Sequence, residues 1–128
     1  MTESFRTALG RVRGLGSAGE GTAHWWAQRL TAIALVPLTL WFVISIVMLT
    51  GAGRDAVAGW LARPFNFGAM LLLVGLGIHH AQLGLQVVIE DYVHAERARI
   101  VSLVATKFAA VILTVVAAVS LLSIFVRG

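Results

Sequence analysis

Apolar and polar positions divide the chain into three long apolar runs separated by short polar breaks. Leu30 to Thr50 and Asn66 to Ile89 contain no Asp, Glu, Lys or Arg, and Phe108 to Val126 holds 19 uncharged residues. About 20 apolar residues in helical form cross a hydrocarbon core of about 30 Å. No period-two alternation recurs, so each run must satisfy its backbone polar groups inside a helix rather than in a closed barrel. The predicted fold is an all-α membrane protein with three transmembrane helices, over about 30–50, 66–89 and 102–126, in one anchor domain of residues 1–128.

Breakers mark the connections. Gly51-Ala52-Gly53-Arg54-Asp55 ends the first run and Arg63-Pro64 opens the second. Ala95-Glu96-Arg97-Ala98-Arg99 is polar but helix-forming, which predicts a short, partly helical second connection. Residues 1–29, with three glycines between Gly14 and Gly19, are read as an irregular surface segment on the inner side. Pro37 predicts a mild kink in the first span, since neighbouring helices in a bundle can satisfy the carbonyl it frees.

Composition agrees with a bilayer. The 128 residues are 59% hydrophobic and 12% charged, where a soluble domain carries about 25% charged residues. The absence of cysteine excludes disulfides, thiolate zinc sites and cluster ligation by this chain. The net charge of +4 comes from basic residues flanking the apolar runs, a pattern that suits membrane lipid and not nucleic acid.

Arg6, Arg11, Arg13, Arg29, Arg97, Arg99 and Lys107 make seven basic residues on one side, against Arg54, Arg63 and Arg127 on the other. That bias predicts the N-terminus inside and the C-terminus outside. Trp25, Trp26, Trp41 and Trp60 fall near span ends, as interfacial aromatics do. Lys107 can extend its stem to the inner interface. The long polar lead argues against a cleaved signal peptide.

The second run carries the candidate chemistry. His79 and His80 sit within it, and Asp91 and Tyr92 follow at its end. His80 and Asp91 are eleven apart, so on a helix they share a face to within about 20° and lie about 16 Å apart. Gly77, Gly84, Val87 and Val88 fall on the His80 face, and His79, Gln82, Gln86 and Val93 on a second, about 100° away.

An imidazole at mid-membrane depth needs a partner and marks a candidate site. Its neutral ring is a metal ligand, and glycines at −3 and +4 would let a flat group such as haem approach the backbone. The competing reading is a histidine that bonds across helices and packs the bundle. His79, Gln82 and Gln86 read as an inter-subunit hydrogen-bonded stripe. Asp91 and Tyr92 also have a plain reading, a helix end with an aromatic anchor. A proton-coupled transporter is disfavoured, because no carboxylate lies deep in a span and no repeat is visible. No HExxH-type cluster supports hydrolase chemistry.

At this point the residues meet a known pattern. His80 with Asp91 and Tyr92 at +11 and +12, the Arg29-Leu30-Thr31-Ala32-Ile33 opening of the first span, and the His24–Arg29 lead HWWAQR resemble the hydrophobic membrane anchor subunit of succinate dehydrogenase. This is the D-type subunit of respiratory complex II, in a bacterial, alphaproteobacterial-like form, and the resemblance covers nearly the whole chain. It implies a subunit that is not catalytic alone. Its expected partners are a C-type cytochrome b anchor, an iron–sulfur subunit and a flavoprotein. The resemblance implies haem b shared between the two anchors, with His80 as one axial ligand to the haem iron and Arg29 near a propionate. It also implies a ubiquinone site with Tyr92 hydrogen-bonded to the quinone and Asp91 beside it. The implied location is the bacterial inner membrane, ahead of the mitochondrial one. A haem-free structural or assembly subunit of another membrane complex and a fumarate reductase anchor are the alternatives.

Overall fold

Each apolar run folds as one uninterrupted helix that starts before its uncharged stretch, though the first stops at Met48, two residues short of Thr50. The computed structural model describes residues 7–9 and 19–128. The long helices are α1 (Gly19–Met48), α3 (Pro64–Tyr92) and α4 (Glu96–Arg127), with a short α2 (Arg54–Leu61) between the first two of them. No strand occurs among the described residues. At 30, 29 and 32 residues the long helices reach about 43–48 Å at 1.5 Å per residue, beyond the about 30 Å of hydrocarbon. All three are long and apolar enough to cross a membrane.

Two boundaries differ from the sequence reading. First, α1 begins at Gly19, so the HWWAQR segment is helical and continues into the span. Its Ala, Gln and Arg residues favour helix, and the reading of an irregular segment overweighted the glycines before them. Of that glycine-rich segment, residues 14–18 lie outside the described residues, as do Arg6, Arg11 and Arg13. Second, the connection after the first span contains α2. Gly51 turns the chain with φ +82°, a left-handed conformation open to glycine. Asp55 then sits in the first turn of α2, where the helix dipole favours it.

The second connection is Val93–Ala95 alone, and Glu96 opens α4. At the other end of α3, Pro64 occupies the first turn, where its missing N–H costs nothing. Arg63 before it is extended, with ψ 132°, as a residue preceding proline must be. α1 runs through Pro37 as one helix.

The packing is an open layer. α3 lies against both α1 and α4, while α1 and α4 do not meet. Leu83, in the middle helix, is the one buried hydrophobic side chain among the described residues; Thr31, Ser45 and Asn66 are buried with it. This inversion suits a bilayer, where lipid tails are as apolar as leucine and helix contacts favour close packing and hydrogen bonds. The hydroxyls of Ser45, Thr106, Thr114, Ser120 and Ser123 each donate to the carbonyl four residues back, which removes their cost in hydrocarbon.

Aromatic contacts fix the end of the layer opposite Tyr92. Trp41 stacks on Trp60 at 5.5 Å between centroids and meets Phe65 edge-on at 6.3 Å. Phe67 stacks on Phe125 at 4.5 Å, joining the start of α3 to the end of α4 in antiparallel register. Asn66 donates from Nδ2 to the Trp60 carbonyl at 2.8 Å and ties α2 to α3.

Candidate functional site

Residues His80 through Tyr92 lie on one unbroken helix, α3. The spacing expected from sequence therefore holds: His80 and Asp91 are separated by about three turns, close to 16 Å along the axis. Tyr92 is the last helical residue, and Val93 after it is extended. Asp91 and Tyr92 are both exposed, Tyr92 at 77%. Neither side chain has a hydrogen-bond partner among the described residues, so both are available to something outside the chain.

His80 is half-buried and faces α1. Its Nδ1 lies 2.9 Å from Oγ1 of Thr31, a side chain only 6% exposed. The same Oγ1 is 2.7 Å from the Ala27 carbonyl and 3.1 Å from that of Gln28. His80 also borders an open cleft of about 420 Å³ whose other walls are Ala32, Leu35, Val36, Thr39 and Leu40 of α1. The walls are apolar apart from the Thr39 hydroxyl, so an imidazole at this edge meets a flat, greasy surface.

Two neighbours of His80 were expected to make room for a ligand. Gly77 faces open space within this chain, and a Cβ on Gly84 would make an ordinary contact of 3.9 Å with Nε2 of the Gln28 side chain on α1.

His79 points elsewhere. It is exposed and lines a cavity of about 400 Å³ between α3 and α4 with Gln82, Lys107 and Thr114. At His79 and Gln82 the second face borders α4 of the same chain. Gln86 donates to Glu90 along α3 at 3.0 Å. Lys107 stands eleven residues into α4, about 16 Å from its start.

Arg29 is exposed, with its guanidinium carbon 5.4 Å from the centroid of the Trp25 ring. Arg29, Ala32 and Val36 are spaced by three and four residues, which places them on one strip of α1. The cleft beside His80 therefore leads along that strip toward Arg29.

Sequence reasoning missed a polar stripe. His24, Gln28 and Thr31 repeat at four and three residues, the period of one helix face, and Gln28 and Thr31 meet α3. Nε2 of His24 and Oε1 of Gln28 are buried without a hydrogen-bond partner. Buried polar atoms of this kind call for a ligand, a water or a partner group. The four-three spacing of polar residues in the HWWAQR lead was the available signal. No group of three or more His, Asp or Glu side chains that could hold a metal ion occurs among the described residues.

The family described as succinate dehydrogenase/fumarate reductase transmembrane subunit has a sequence model that matches residues 3–114. The chain belongs to this family. It is similar to the succinate dehydrogenase hydrophobic membrane anchor subunit of Rickettsia bellii, with 37% identity over 128 residues covering 100% of both chains. The succinate dehydrogenase membrane anchor subunit of Reclinomonas americana shares 38% over 86 residues, 65% of this chain and 72% of the relative. The succinate dehydrogenase hydrophobic membrane anchor subunit of Paracoccus denitrificans shares 37% over 81 residues, 63% of each. No solved structure matches. Together with three membrane-crossing helices, these relatives support a multi-pass membrane anchor subunit of succinate dehydrogenase, a role carried out in a complex with other subunits.

Proposed function

We propose that this anchor binds haem b jointly with a second, C-type anchor subunit and forms part of a ubiquinone-reduction site in the bacterial inner membrane. The observation that carries the reading is His80, a mid-helix imidazole with one nitrogen engaged by Thr31 and the ring at the edge of an open apolar cleft. Imidazole is a haem ligand, and the remaining nitrogen, Nε2, is the one free for iron. His79 turns to the α4 side, so the second axial ligand is assigned to the partner anchor. Arg29 sits on the strip of α1 that leads away from the cleft, where its guanidinium suits a propionate carboxylate. Bound haem would supply a one-electron carrier between the two anchors.

Asp91 and Tyr92 are the quinone residues in this reading. A quinone needs a hydrogen-bond donor at its carbonyl and protons as it is reduced. A phenol and a carboxylate, exposed side by side at a helix end, offer both. The N-terminus is inside, which sets Tyr92 on the inner face, where an iron–sulfur subunit would dock and close the pocket. Succinate is oxidised to fumarate on the flavoprotein partner, and electrons reach ubiquinone through the iron–sulfur subunit. Similarity to succinate dehydrogenase anchors favours this direction over fumarate reduction.

The test is purification through a tag on this chain, with identification of the co-purifying subunits and a reduced-minus-oxidised optical spectrum. The expected result is a flavoprotein, an iron–sulfur protein, a second small anchor and a b-type spectrum. A homo-oligomer without those partners contradicts the proposal.

A further inference from the structure

Among the described residues, six Ser or Thr hydroxyls in the long helices bond back to their own helix, Thr50 just past α1 does the same, and Thr31 alone among them also reaches a second helix. Its Oγ1 is shared between the Ala27 and Gln28 carbonyls and Nδ1 of His80. A threonine hydroxyl has one proton and can accept from others, which leaves two arrangements. In the first, Thr31 donates to the Ala27 carbonyl and accepts a proton from Nδ1–H of His80, making two hydrogen bonds. In the second, Thr31 donates to a bare Nδ1. That arrangement gives up the carbonyl bond, and Nε2–H is left without an acceptor among the described residues, beside an apolar cleft. The first satisfies every group and leaves Nε2 as the lone-pair nitrogen.

We propose that Thr31 is a positioning residue: its hydroxyl holds His80 in the Nδ1–H tautomer and fixes the ring so that Nε2 is presented to the cleft. Which nitrogen of a histidine is free is set by the bond its other nitrogen makes. The inference rests on the reading of His80 as an axial ligand and deepens it. An acceptor on Nδ1–H makes the ring a stronger donor through Nε2, and a stronger donor favours the oxidised iron. Thr31 therefore lowers the reduction potential of a haem bound through His80.

The experiment compares the complete complex with complexes carrying Thr31→Val, Thr31→Ser and His80→Ala, by dye-mediated redox titration of the haem absorbance and by low-temperature paramagnetic resonance of the oxidised haem. Valine keeps the shape and removes the hydroxyl. The expected result is haem retained in Thr31→Val with a raised potential and altered g-values, both returned toward the parent by Thr31→Ser. A Thr31→Val complex with the parent's potential and g-values overturns the proposal. If the valine variant does not assemble, Thr31→Ala against Thr31→Ser gives the same comparison, and equal potentials in that pair overturn it. The His80→Ala complex separates the two levels. Loss of six-coordinate haem there, with no shift in Thr31→Val, sinks the Thr31 role alone. An intact six-coordinate spectrum in His80→Ala sinks the ligand assignment and the Thr31 role with it.

Discussion

Thr31 and His80 join α1 to α3 through one buried contact of 2.9 Å between Oγ1 and Nδ1. Near it the Gln28 side chain of α1 reaches toward Gly84 of α3, and His80 also borders the open cleft along α1. One crossing thus combines packing, hydrogen bonding and the candidate ligand, and perturbing it should affect all three.

At Gly84 the nearest atom to an added methyl is the end of the Gln28 side chain, at 3.9 Å. Gly84→Ala is expected to be tolerated, since that contact is ordinary. Gly84→Leu forces α1 away from α3, at a cost of about 1–3 kcal/mol for overpacking. Thermal unfolding of the assembled complex checks this: a drop for leucine and little change for alanine is the expected pair. Equal stability in both variants counts against the crossing.

Asn66 is 8% exposed and donates to the Trp60 carbonyl at 2.8 Å. Asn66→Ala leaves that carbonyl without this donor and removes the tie between α2 and α3. The expected loss is about 1–3 kcal/mol, the cost of a buried polar group left unpaired. The spectrum of a haem bound through His80 should stay as it is, because Asn66 lies about 21 Å from His80 along α3. Thermal unfolding and the optical spectrum of one preparation read both.

Tyr92 exposes its phenol at the end of α3. Tyr92→Phe keeps the ring and deletes the hydroxyl, so succinate–quinone activity should fall by roughly ten-fold or more, as loss of a hydrogen bond worth 1.5 kcal/mol implies. Succinate oxidation with an artificial soluble acceptor should be unchanged. Both activities at parent level remove Tyr92 from the quinone site.

Much of this architecture was legible in the sequence, for a physical reason. A bilayer demands uncharged runs of fixed length, so Leu30–Thr50, Asn66–Ile89 and Phe108–Val126 announced their helices. The separation of His80 from Asp91 followed from helical rise once no breaker stood between them. Other features depend on which helix faces touch, and periodicity within one helix is silent on that. The Thr31–His80 contact, the reach of Gln28 toward Gly84 and the turning of His79 toward α4 are of this kind. The eight-residue α2 was hidden because a short helix between Gly53 and Pro64 is held by Trp41 and Asn66 more than by its own propensity. The early start of α1 at Gly19 was obscured by glycines that normally mark loops.

The claim on which the rest depends is that His80, and not its neighbour His79, is this chain's haem ligand. The direct measurement is the reduced-minus-oxidised optical spectrum of the purified complex carrying His80→Ala or His79→Ala. Loss of the six-coordinate b-type spectrum in His80→Ala, with the parent spectrum kept in His79→Ala, is the expected result. The reverse pattern, or an unchanged spectrum in His80→Ala, contradicts the assignment.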